Sequence, residues 1–147
     1  MLGRQPQKLV FAGCSAGGRG AMANLDYVSA IVTKAAAVRA QHRLGSNRLG
    51  SKNSVVGMLD SPAWIDLDAS TGSPRVGSDL ATTTTVAVKL FNAYGRLGTL
   101  CAKKYPGAES WKCIFRQYRL PLLQTPFLIS ASQYDSFQAN YKPNHVS

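Results

Sequence analysis

Ser15 sits at the centre of Gly13-Cys14-Ser15-Ala16-Gly17, a Gly-x-Ser-x-Gly pentad directly behind the apolar run 9–12. A strand that ends in so tight a turn leaves no room for side chains on its flanks, which explains a glycine on each side of the serine. The serine is then forced into a strained backbone conformation. Its Oγ is exposed at the carboxyl end of the strand, and the next backbone N–H, that of Ala16, points at the same spot. This is the geometry of a nucleophile elbow, whose chemistry is attack on an acyl carbon. A phosphate-binding reading competes, because Gly18-Arg19-Gly20-Ala21-Met22-Ala23 fits the dinucleotide pattern G-x-G-x-x-G/A. That fingerprint needs its first glycine at the strand end and an acid about 20 residues further on. Here the strand is expected to end near Ala12, no Asp or Glu lies between Asp26 and Asp60, and no Gly-Lys-Ser/Thr occurs. The elbow is therefore preferred over a nucleotide-binding α/β protein, and over a plain structural glycine turn.

A serine hydroxyl needs a base to take its proton, and the base needs an acid to fix its tautomer. In elbow-bearing sheets the chain order is Ser, then Asp or Glu, then His. Asp135 follows a late strand and is the best-placed acid; Asp60, also at a strand end, is its rival. Only two histidines occur. His42, at the end of a long helix, reads as a surface residue. His145 has the right order but lies ten residues after Asp135, whereas a return to the site ordinarily takes a helix of about 11 residues and a strand of about 5. It reads as tail. On the other side of Ser15 there is room for one strand, although the second oxyanion donor normally comes from a loop after an earlier strand. The expectation is one incomplete domain over residues 1–147, its sheet cut at both edges, with little activity on its own.

The elements that position these residues follow from periodicity. Met22, Leu25, Val28, Val32, Ala35 and Val38 recur at three- and four-residue spacing and predict a helix over 20–41. A loop over 44–54 leads into a short apolar strand over 54–59, closed by the turn Asp60-Ser61-Pro62. A second loop over 69–78 precedes a helix over 82–94, a prediction weakened by four consecutive threonines because β-branched residues lose rotamer freedom in helices. A third strand is expected over 126–132. Strands alternating with helices imply an α/β fold, a mostly parallel sheet flanked by helices.

At 147 residues, 45% hydrophobic and 16% charged, the chain is globular and large enough for one core. No stretch reads as a membrane span or a signal peptide. The net charge of +10 favours a polyanionic partner, acidic polysaccharide among them. No nucleic-acid module accompanies it. The blander reading places Arg39, Arg43, Arg48, Lys52, Lys103, Lys104, Arg116 and Arg119 on a solvated surface. Cys101 and Cys113 bracket a short loop that a disulfide could close; free thiols or metal ligands are the alternatives, the latter poor because no further Cys or His lies nearby. Pairing would imply an oxidising compartment. Cys14 reads as a small buried packing residue.

Four segments in order, GCSAGGRGAMANLDYV, MLDSPAWIDLD, CAKKYPGAESWKCIF and TPFLISASQYDSFQ, resemble the pectin acetylesterase and Notum family of secreted carboxylesterases, across about residues 8–138. The cysteine beside the serine and the Tyr-Asp-Ser-Phe-Gln segment look closer to the pectin acetylesterase branch. The resemblance implies a partial α/β-hydrolase fold, Ser15 as nucleophile, Asp135 as acid, Ala16 as an oxyanion donor and a Cys101–Cys113 disulfide. It implies an acetylated, anionic polysaccharide substrate, secretion or a cell-wall location, and neither cofactor nor metal. The family's histidine falls several dozen residues beyond its aspartate. Pro62 stands where members often carry glycine. A non-catalytic polyanion-binding module on the same fold is the alternative.

Overall fold

A computed structural model describes residues 8–42, 54–62, 65 and 80–132, without the side chains of residues 39–42. Asp135, His145, the loop over 69–78 and nearly all of the loop over 44–54 lie outside the described residues.

The order is β1 (Lys8–Cys14), α1 (Ala16–His42), β2 (Ser54–Asp60), α2 (Leu80–Leu90), a 3-10 helix (Ala93–Arg96), α3 (Thr99–Lys104), a long 3-10 segment (Gly107–Ile114), α4 (Arg116–Arg119), a 3-10 turn (Leu120–Leu122) and β3 (Phe127–Ser130). The strands form a parallel sheet in the order β1-β2-β3. Registers Phe11↔Gly57↔Phe127 and Gly13↔Leu59↔Ile129 put these side chains on one face. Helix α1 covers that face with Ala21, Met22 and Leu25, all essentially buried. Among the described residues, the opposite face, which carries Val10, Met58 and Leu128, has no helix on it. The parallel sheet with helix packed against it is the α/β arrangement expected from the sequence.

Helix α1 begins four residues earlier than its periodicity suggests, because Gly17, Gly18 and Gly20 fall within it. In α2, Thr84 and Thr85 turn their hydroxyls back onto the carbonyls of Leu80 and Ala81 at 2.7 and 2.8 Å. That satisfies the polar group locally and accommodates β-branched residues the sequence counted against a helix.

Cys101 and Cys113 are fully buried and disulfide-bonded, as the resemblance implies. With Val88 and Leu97 they form a second apolar cluster, against which Trp111, Tyr105 and Leu122 pack. Edge-to-face contacts of Trp111 with Phe115 and Tyr118, at 5.2 and 6.2 Å, extend it.

Arg119 joins this cluster to α1. Read in sequence as part of a solvated basic surface, it is 1% exposed. Its Nη1 donates to the Leu97 carbonyl at 2.7 Å and its Nη2 to the Ala23 carbonyl at 3.0 Å. Burial lowers its pKa, with the Asp26 charge opposing. Gly98, at φ +77°, passes so close that any Cβ there would overlap the guanidinium.

Candidate active site

The three strands are parallel, so their carboxyl ends share one rim. Ser15 follows β1 directly, with φ 53°, in the left-handed region that non-glycine residues rarely enter. Two backbone bonds hold it there. Its N–H donates to the Asp60 carbonyl at the end of β2 at 2.9 Å, and its own carbonyl accepts the Arg19 N–H at 3.1 Å. Ser15 is therefore the N-cap of α1. Ala16 is the first helical residue, whose amide has no intrahelical acceptor. The Ser15 side chain is exposed.

The glycines around the serine do not act as the pentad suggests. A Cβ on Gly13 would overlap the backbone of Gly17, and a Cβ on Gly18 would lie 2.5 Å from the Asp60 carbonyl and 3.3 Å from the Pro62 side chain. At Gly17 itself nothing lies within 4 Å. The tight pair is Gly13 and Gly18, one residue beyond the motif. Gly18 and Gly20 lie inside α1, past the strand end, where they do not form the glycine turn of a dinucleotide site.

The rim continues across the sheet. Ser61, after β2, repeats the left-handed conformation at φ 46°, and its N–H donates to the Ser130 carbonyl at the end of β3 at 2.6 Å. Each strand end is thus tied to the next by one serine amide. The Asp60 carboxylate accepts the Ser61 hydroxyl at 3.1 Å. It also accepts the Cys14 thiol, and that bond with the adjacent charge raises the thiol's pKa. Cys14 is exposed, not the buried packing residue expected, because its side chain lies on the sheet face away from α1. Asp60, the rival acid in sequence, is engaged in holding the elbow together.

Among the described residues no group of three or more His, Cys, Asp and Glu could hold a metal ion, and no helix is long and apolar enough to cross a membrane. Sequence reasoning missed Asp26, whose carboxylate accepts the amides of Gln124 at 3.1 Å and Thr125 at 2.8 Å and so fastens the approach to β3 onto α1. It missed the structural part of Asp60 as well. A lone acid within a helical pattern carries no signal for the first; the adjacency of Asp60 to a turn is a faint one for the second.

A parallel sheet whose first described strand turns through a left-handed serine into a long helix is the arrangement of the α/β hydrolases. The sequence model of the family described as Pectinacetylesterase matches residues 4–146, and the chain belongs to that family. It is similar to palmitoleoyl-protein carboxylesterase notum2 of Xenopus laevis, 26% identical over 138 residues. That match covers 92% of this chain and 25% of the relative. Two crystal forms of the Wnt deacylase Notum from Drosophila share its fold. One has a TM-score of 0.68 at 27% identity, covering 89% of this chain and 32% of that one. The other has 0.62 at 28%, covering 93% and 35%. The chain therefore spans a quarter to a third of these relatives.

Proposed function

We propose that the chain carries the nucleophile-bearing part of a secreted carboxylesterase that removes acetyl groups from an acidic polysaccharide. The observation that carries this reading is Ser15: an exposed non-glycine residue held at φ 53° between strand and helix. Such strain persists only where the surroundings over-determine it, and it concentrates at functional sites. In the reaction, Ser15 Oγ attacks the acetyl carbonyl carbon while its proton passes to a histidine base. The ester C–O bond then breaks and the departing sugar oxygen takes that proton. Water, deprotonated by the same base, releases acetate and restores the serine. The Ala16 N–H, at the positive end of the α1 dipole, would stabilise the oxyanion. Asp135, five residues beyond β3, is assigned to orient the histidine. The +10 charge suits an anionic polymer, and the Cys101–Cys113 disulfide suits an oxidising compartment.

Neither His42 nor His145 is assigned as the base, so the 147-residue chain alone is expected to be nearly inert. Removal of a catalytic histidine leaves only residual catalysis from binding and the remaining oxyanion donor. The test is acetate release from acetylated polygalacturonate, by this chain and by the chain expressed with the coding sequence that flanks it. The flanked protein should turn over, and Ser15→Ala should cost it at least about 10³-fold. A flanked protein that folds and shows no Ser15-dependent release overturns the assignment.

A further inference from the structure

The corner where α2 runs into the following 3-10 helix is the most exposed large apolar surface among the described residues. Leu90 is 74% exposed and Phe91 77%. Val86, one turn before Leu90, is 59% exposed, whereas Thr84 and Val88 face inward. Val86 and Leu90 therefore form an outward stripe that ends at Phe91.

The corner is held by its backbone. The Phe91 N–H donates to the Ala87 carbonyl at 3.0 Å, and the Asn92 N–H to the Lys89 carbonyl at 3.2 Å. Asn92 then reverses the chain at φ 46°. The two largest apolar side chains are thus presented by hydrogen-bonded structure.

Along the segment that builds the corner the charge has one sign, while Glu109 on the 3-10 segment packed against α2 is paired with Lys112. Residues 80–108 contain Lys89, Arg96, Lys103 and Lys104 and no Asp or Glu. All four cations are exposed. The open face of the sheet differs: Val10, Met58 and Leu128 there have no comparable set of cations in their strands, and it is the kind of parallel-sheet face that further helices cover. A segment that carries bulky exposed apolar side chains and whose only charges are Lys and Arg has the composition of an amphipathic element lying in an anionic lipid interface, with its apolar tip at the acyl boundary and its cations among the headgroups.

We infer that this corner docks the protein on an anionic lipid surface, with Leu90 and Phe91 inserting and Lys89 and Arg96 meeting the headgroup anions. The inference does not rest on the esterase reading, since it uses neither Ser15 nor Asp135.

Co-sedimentation of the 147-residue chain with phosphatidylcholine vesicles, with and without about 30% phosphatidylserine, tests it. Binding should require the anionic lipid and weaken steeply at about 1 M salt, where the screening length falls to about 3 Å. Phe91→Ser and Leu90→Ser should each weaken it by roughly 10-fold or more. Lys89→Gln and Arg96→Gln should each do so by about fivefold. Because all four side chains are exposed, the thermal midpoint should not move in any variant, which separates lost docking from lost folding. Equal binding to uncharged vesicles, undiminished binding by Phe91→Ser, or no binding overturns the proposal. So does concentration-dependent self-association relieved by Phe91→Ser without vesicle binding, which would give the corner to a second copy of this chain.

Discussion

The amide of Ser15 donates to the carbonyl of Asp60 at 2.9 Å, so the strained residue at the end of β1 is fastened by the last residue of β2. The elbow is therefore a property of two strands and not of the pentad alone. Gly18, which approaches that same carbonyl, completes it.

This relationship separates two glycines that look alike in sequence. Gly18→Ala places a methyl group 2.5 Å from the Asp60 oxygen, among backbone atoms that cannot swing aside. It should cost about 1–3 kcal/mol. Gly17→Ala enters open space within a helix and should stabilise by up to about 1 kcal/mol. Chemical denaturation of both variants checks the contrast, and equal losses would mean the elbow is packed differently.

Arg119 is the second prediction. Arg119→Met removes both donors and strands the carbonyls of Leu97 and Ala23, at about 1–3 kcal/mol for each if both remain buried. Arg119→Lys should recover little of it, since one ammonium lacks the fork that reaches two carbonyls. Calorimetry on the two variants reads the difference.

Reduction of Cys101–Cys113 should lower stability by about 3 kcal/mol, from the entropy returned to a short loop in the unfolded chain. Both sulfurs are buried, so reduction in native buffer should be slow and should accelerate sharply in mild denaturant. Mass-tagging of released thiols over time measures both effects.

Cys14 supplies a pH dependence. Its pKa is raised, first by the hydrogen bond to the Asp60 carboxylate and then by that charge. The protonated thiol is the form the fold favours, so its contribution is complete below the ordinary thiol range and disappears as pH rises through the elevated value. Iodoacetamide labelling of Cys14 should therefore show a midpoint above that of an ordinary cysteine. Asp60→Asn should bring the midpoint down, and an unchanged midpoint would remove the thiol–carboxylate contact.

Much of the fold was legible in residue order. The apolar runs 9–12 and 54–59 and the helical spacing from Met22 to Val38 each mark an element whose burial depends on local periodicity. What escaped depends on contacts between residues far apart in the chain. Arg119 meets Ala23 across 96 positions, and nothing in Phe115-Arg116-Gln117-Tyr118-Arg119 distinguishes the buried arginine from its half-buried neighbour Arg116. Cys14 was placed on the wrong side because alternation in β1 can be read only once the face covered by α1 is known. The steric purpose of Gly18 rather than Gly17 required the position of the Asp60 carbonyl, supplied by a strand about forty residues away.

The central claim is that a carboxylate meets the exposed serine at one rim of the sheet. The measurement that tests it most directly is the separation between Ser15 Oγ and the Asp135 carboxyl group in a crystal structure that includes both. Ser15 follows β1 and Asp135 follows β3, two strands across, so a separation of about 10 Å is predicted, a gap that an imidazole and small side-chain excursions can bridge. A separation of about 20 Å or more, the length of these strands, would put the two groups at opposite ends of the sheet and contradict it.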